Sequence, residues 1–104
     1  MTIAEFQRSI DALYGAKDRG RGLEGTFMWF TEEVGELSRA LRRGETGARL
    51  EEEFADVLAW LVTAASISGI DIEKAALEKY GKGCPRCGSI PCSCPEHPAP
   101  KSWP

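Results

Sequence analysis

Phe30-Thr-Glu-Glu-Val-Gly-Glu-Leu-Ser-Arg-Ala-Leu41 (FTEEVGELSRAL) is the stretch on which the reading of this chain turns. Its apolar residues recur at the spacing of a helix. Yet Glu32, Glu33 and Glu36 crowd into five positions beside them. Glu51 to Trp60 (EEEFADVLAW) repeats the pattern on a segment that continues as an almost wholly apolar helix to Ile67. Stepping residues by about 100° per position separates the faces. Phe27, Phe30, Val34, Leu37 and Leu41 make one stripe of the earlier helix, and Trp29, Glu33, Glu36 and Ala40 a second beside it. Phe54, Val57, Leu58, Leu61 and Ala65 make the main stripe of the later helix, flanked by Glu53, Asp56, Trp60 and Ile67. Each helix therefore carries two acids three residues apart on a strip that also holds an indole. Glu32 and Glu52 fall further round, towards solvent.

Working outward, Ile3, Phe6, Ile10, Leu13 and Tyr14 predict an N-terminal helix that Gly15 stops. Lys17 to Gly25 (KDRGRGLEG) is glycine-rich and charged, and reads as a loop, either solvated or closing over phosphates through Lys17, Arg19 and Arg21. Thr26 is the expected N-cap of the acidic helix, which runs to about Arg43 and ends on Gly44. The next helix is expected from about Arg49 to Ser68, with Gly69 as its stop. Asp71 then caps a short helix, Ile72 to Tyr80, closed by Gly81. No useful strand-like alternation occurs, so the predicted fold is all-α.

Acids at i and i+3 usually mark a solvated face, where like charges cost only about 0.2–0.5 kcal/mol. Two such pairs, each beside a tryptophan, are harder to leave in water. If the two helices pack antiparallel, the pairs converge, and carboxylates about 5 Å apart repel by roughly 3 kcal/mol per pair at an effective dielectric near 20. Such a nest needs raised pKa values or a hard cation, and oxygen ligands favour Mg²⁺ or Mn²⁺. A di-iron bundle would use Glu-x-x-His pairs. Neither helix contains histidine; His97 lies in the tail.

Glu32-Glu33-Val-Gly-Glu36 followed by Glu53-Phe-Ala-Asp56 resembles the E-E-x-x-E … E-x-x-D signature of MazG-like nucleotide pyrophosphohydrolases, and the similarity extends from about Phe27 to Tyr80. The resemblance implies an all-α helical bundle completed by oligomerisation, and Mg²⁺-supported hydrolysis of nucleoside triphosphates to monophosphate and pyrophosphate. It implies Glu33, Glu36, Glu53 and Asp56 as metal ligands, and Glu32 as a group that orients the attacking water or a neighbouring ligand. Lys79 matches a lysine that the family carries after this helix, with Tyr80 as the expected aromatic neighbour. The family's following arginine is missing; Gly83 stands near its place, with Lys82 close by. Trp29 and Trp60 carry two readings, stacking on a base or, more commonly for helical tryptophans, packing.

The bulk properties fit this reading. The chain's 104 residues suit one modest domain, and 42% hydrophobic with 28% charged residues is the composition of a soluble globular protein. A formal net charge of −3 leaves no basic footprint for nucleic acid. No apolar run reaches the ~18 residues of a membrane span. Glu5 and Asp11 interrupt the N-terminal apolar positions, unlike a signal peptide, so the expectation is a cytoplasmic protein. A core of roughly 80 residues whose central helix is apolar on most sides calls for a homodimer or a dimer of dimers.

The helical domain is expected over residues 1–82 and a Cys/Pro-rich tail over 83–104, which holds all six prolines. Cys84-Pro-Arg-Cys87-Gly followed by Cys92-Ser-Cys94 gives C-x2-C-x4-C-x-C, and residues 84–94 are expected to bind structural Zn²⁺. Reduced thiols or a redox pair are the competing readings, and His97 could replace one thiol. The alternative to an enzyme is a non-enzymatic helical interaction module whose zinc-binding tail recruits a partner.

Overall fold

The computed structural model describes residues 1–96. It contains three helices, α1 (Ile3–Arg42), α2 (Ala48–Ile67) and α3 (Ile72–Tyr80), with no strand among the described residues. The predicted all-α class holds. His97 and the residues after it lie outside the described residues.

The helix ends follow the sequence signals closely. Thr2 and Glu5 form a reciprocal capping box at the start of α1. Past α1, Glu45 N–H reaches back to the Ala40 carbonyl at 3.0 Å, and past α2, Ile70 N–H reaches Ala65 at 2.8 Å. Gly44 and Gly69, at φ +71° and +72°, allow both reversals. Asp71 caps α3 by accepting from Lys74 N–H at 3.1 Å.

The expected loop between the first two helices is not there. Helix continues through Gly15 and Lys17, and Gly22 alone departs from it, with φ 82° and ψ 175°. Thr26 is not a cap; it is fully buried inside the second arm of α1. The surrounding side chains explain why the glycines and charges stay helical. Asp18 accepts from Arg21 Nη1 at 3.0 Å, and the same nitrogen reaches Thr26 Oγ1 at 3.2 Å, tying the two sides of Gly22 together. Arg19 pairs with Asp11 at 3.1 Å. A straight 40-residue helix would span about 60 Å against about 30 Å for α2. The break at Gly22 lets both arms lie along one partner.

The first arm meets the far end of α2 through Gln7, which is buried. Its Nε2 donates to Ser66 Oγ at 3.1 Å and to the Ile70 carbonyl at 2.7 Å, while its Oε1 accepts from Ile72 N–H at 3.1 Å. The second arm runs antiparallel to α2, bringing Trp29 onto Trp60 and the acids of both helices together. Among the described residues the buried apolar side chains are Ile10, Ala40, Val62 and Ala65. Several large ones remain outside: Phe27, Met28 and Leu41 on α1, and Phe54, Leu58 and Leu61 on α2. The chain's contacts divide it into two compact units, Met1–Lys74 and the segment from Ala75 onward.

Gly22 sits in a region of backbone space that side chains rarely enter. Gly22→Ala should therefore lower unfolding free energy by about 1–3 kcal/mol in urea titration. Gly20→Ala, at a helical glycine with open space around it, should be neutral or stabilising by up to ~1 kcal/mol.

Candidate functional site

The period of a helix places Glu33 above Glu36 on α1 and Glu53 beside Asp56 on α2, and antiparallel packing turns both pairs towards each other. One carboxylate oxygen each from Glu33, Glu53 and Asp56 lies within 4.8 Å of the others. Glu36 adjoins them: it shares a hydrogen bond with Glu33 and adds its charge to both Glu33 and Glu53. Four carboxylates thus gather where two helices of one chain meet.

The consequences are electrostatic. Burial pushes the Glu33 carboxyl from its ordinary 4.5 up to about 7, reinforced by the charges of Glu36, Asp56 and Glu53 and by the Glu36 hydrogen bond. Burial also raises Glu53, followed by the charges of Glu36, Asp56 and Glu45; Arg49 partly opposes them. Glu33 Oε2 and Glu53 Oε2 are both enclosed without a hydrogen-bond partner. A buried carboxylate oxygen lacking a donor is costly, and a cation relieves both the lost solvation and the mutual repulsion. An all-oxygen donor set within 4.8 Å, with two buried oxygens lacking a donor, fits a hard divalent ion.

The remaining expected residues are placed as follows. Trp29 and Trp60 stack on each other, with ring centroids 5.9 Å apart and planes 12° from parallel. Neither ring is isolated, and both lie one helical turn from an acid of the cluster. Glu32 is exposed and lines an open hollow with Phe27, Met28, Thr31, Gly35 and Arg39, apart from the converging carboxylates. Lys79 belongs to the second unit, where its ammonium lies 5.5 Å from the Tyr80 ring centroid.

Arg21 is the residue whose place the sequence conceals. It was expected in a loop, yet its guanidinium lies over the Trp60 ring, 4.8 Å from the centroid, besides holding Asp18 and Thr26. A phosphate-closing loop is thereby corrected: Arg19 and Arg21 are both engaged in ion pairs along α1. The i,i+3 spacing of Asp18 and Arg21 was the available signal.

In the second unit, the sulfurs of Cys84, Cys87, Cys92 and Cys94 also lie within 4.8 Å of one another, as four free thiols that could hold a metal. Hydrogen bonds from Ser93 and Ser89 bring the Cys87 thiol down to about 5, whereas its three thiol neighbours push Cys94 up to about 11.

The MazG nucleotide pyrophosphohydrolase domain matches residues 21–88, about two thirds of the chain. No curated protein matches it. The chain belongs to the MazG nucleotide pyrophosphohydrolase family.

Glu33 binds its proton more tightly folded than unfolded, so its contribution to stability is full below about 4.5 and is lost as pH rises through about 7. Metal-free protein should therefore melt at a lower temperature at pH 8 than at about pH 5 by this contribution. Calorimetry should show the fall reduced in Glu33→Gln and reduced in the wild type by added Mg²⁺.

Proposed function

We propose, from membership of the MazG family and from the four converging carboxylates, that this protein hydrolyses nucleoside triphosphates to monophosphate and pyrophosphate with Mg²⁺. The observation that carries the reading is the convergence of Glu33, Glu53 and Asp56 within 4.8 Å, with Glu33 Oε2 and Glu53 Oε2 buried and unpartnered. Glu33, Glu36, Glu53 and Asp56 would hold the metal, with Mn²⁺ as the natural substitute. Bound there, a divalent ion supplies charge neutralisation for phosphate oxygens and lowers the pKa of water.

The chain's own groups set the rest. Carboxylates fixed on two packed helices need little rearrangement on loading, because the backbone already aims them. Glu33, half-protonated near pH 7 without a cation, gives up its proton as the site fills. Glu32, free of the cluster and exposed, is kept for orienting the attacking water. Trp29 offers an exposed indole face beside the acids for the base, while Trp60, held between Trp29 and Arg21, serves mainly to fix that face. Lys79 is a cation available for phosphate, in the place where the family carries one.

A second copy of the chain is part of this reading. Phe27 is 61% exposed and Phe54 52% exposed, with Met28, Leu41, Leu58 and Leu61 on the same helices also outside. An apolar surface of this kind is what an obligate helical interface looks like when cut in half. A homodimer or a dimer of dimers would cover it and wall the acidic site. Four free thiols suit a reducing compartment, and we assign the protein to the cytoplasm.

Glu36→Gln and Asp56→Asn should each lower pyrophosphate release from a panel of ribo- and deoxyribonucleoside triphosphates by at least ~100-fold, with helical circular dichroism retained. Full turnover in both variants would instead make these acids structural, and no metal-dependent turnover of any nucleotide by folded wild-type protein would leave a non-enzymatic helical module. Phe54→Asp should shift the protein towards monomer in sedimentation analysis, since an uncovered charge in an apolar interface costs several kcal/mol, on the order of 2–5.

A further inference from the structure

The sequence from Gly81 to Glu96 has no helix, yet its chain is folded sharply back on itself. Cys84 N–H donates to the Ser89 carbonyl at 3.2 Å and Gly88 N–H to the Cys84 carbonyl at 2.7 Å, closing a knuckle around Cys84 and Cys87. Gly88 turns it with φ +74°, a value that suits glycine. The second pair of cysteines is then carried over the first.

The four sulfurs form a cluster with no preferred couple. Cys92 Sγ is 3.5 Å from Cys84 Sγ, Cys84 Sγ is 3.8 Å from Cys94 Sγ, and Cys87 Sγ is 4.0 Å from Cys92 Sγ. Disulfide sulfurs stand about 2.05 Å apart, and a disulfide would single out one partner for each cysteine. Four thiolates about 2.3 Å from a central Zn²⁺ at tetrahedral angles lie about 3.8 Å apart along every edge. The observed separations bracket that edge. Backbone N–H groups also point at sulfur: Ser93 to Cys87 Sγ at 3.4 Å and Cys94 to Cys92 Sγ at 3.3 Å. Such donors stabilise negative sulfur, which is the state that a metal requires.

We propose that Cys84, Cys87, Cys92 and Cys94 form a closed four-thiolate site for one Zn²⁺ ion, which holds the segment following α3 in its folded form. Soft sulfur donors in a tetrahedron select zinc over the hard cation of the acidic site, so the chain sorts two metals by donor type. With all four positions filled by protein, the ion has no vacancy for substrate and its role is structural. On binding, each thiol that is protonated releases its proton to buffer and each sulfur donates a lone pair to the ion; no electron is transferred.

The test uses the full chain, purified under reducing conditions. Elemental analysis should find one zinc per chain. Replacement by Co²⁺ should give the sulfur-to-metal charge-transfer and intense visible bands of a tetrahedral thiolate ion. Cys87→Ser and Cys92→Ser should each weaken Zn²⁺ binding beyond the roughly 10–100-fold that outer partners of a metal site carry. Glu36→Gln should leave zinc content and the Co²⁺ spectrum unchanged. Zinc should also slow thiol alkylation, with limited proteolysis within 81–96 slowed in parallel. The proposal is overturned by iron in place of zinc, by masses showing disulfides in protein kept reduced, or by equal alkylation rates with and without zinc. Zinc retained in both cysteine variants but lost in Glu36→Gln would overturn it as well.

Discussion

Repulsion among four carboxylates is the constraint around which this small protein is built. Glu33 and Glu36 on α1 meet Glu53 and Asp56 on α2 where these two long helices pack, a place where apolar side chains would ordinarily interlock. The cost is visible in the raised Glu33 and Glu53 carboxyls and in the two oxygens without donors. An arrangement that is strained by itself, and that a cation would relieve, points to function rather than to folding. The rest of the helical unit holds the strain in place: Gln7 fastens one end of α2, and Arg21 with Asp18 and Thr26 fastens the turn at Gly22.

Giving the intrachain contact to acids has a corollary on the opposite side. The apolar stripes of Phe27 and Leu41, and of Phe54, Leu58 and Leu61, remain outside, while the residues enclosed between helices are mostly small or polar, such as Ala40, Thr26, Thr63 and Ala65. One chain therefore makes a site with only a small apolar core around Ile10 and Val62. Under the proposed assembly, further hydrophobic burial would come from a second copy of the chain.

How much of this was legible depended on whether the signal was periodic or singular. The acidic strips were readable because a helix converts a spacing of three into a shared face, and no neighbour can alter that. The ends at Gly44, Gly69 and Asp71 were readable because each is a local hydrogen-bonding device. The stretch from Gly15 to Thr26 was misread for the opposite reason. Glycine and charge mark loops only when nothing else holds the backbone, and here Asp11–Arg19 and Asp18–Arg21 hold it. The stripes themselves were located correctly, but which of two adjacent faces packs within the chain was a tertiary choice invisible to periodicity. The cysteine spacing announced a knuckle; the near-equal sulfur separations required coordinates.

The parallel indoles of Trp29 and Trp60 have a spectroscopic corollary. Two indoles whose centroids stand 5.9 Å apart in nearly parallel planes are close enough to couple as an exciton pair, and a guanidinium lies over one of them. The chain thus carries a built-in optical gauge of the separation between its two acidic helices, one turn away from the carboxylates whose spacing it would report.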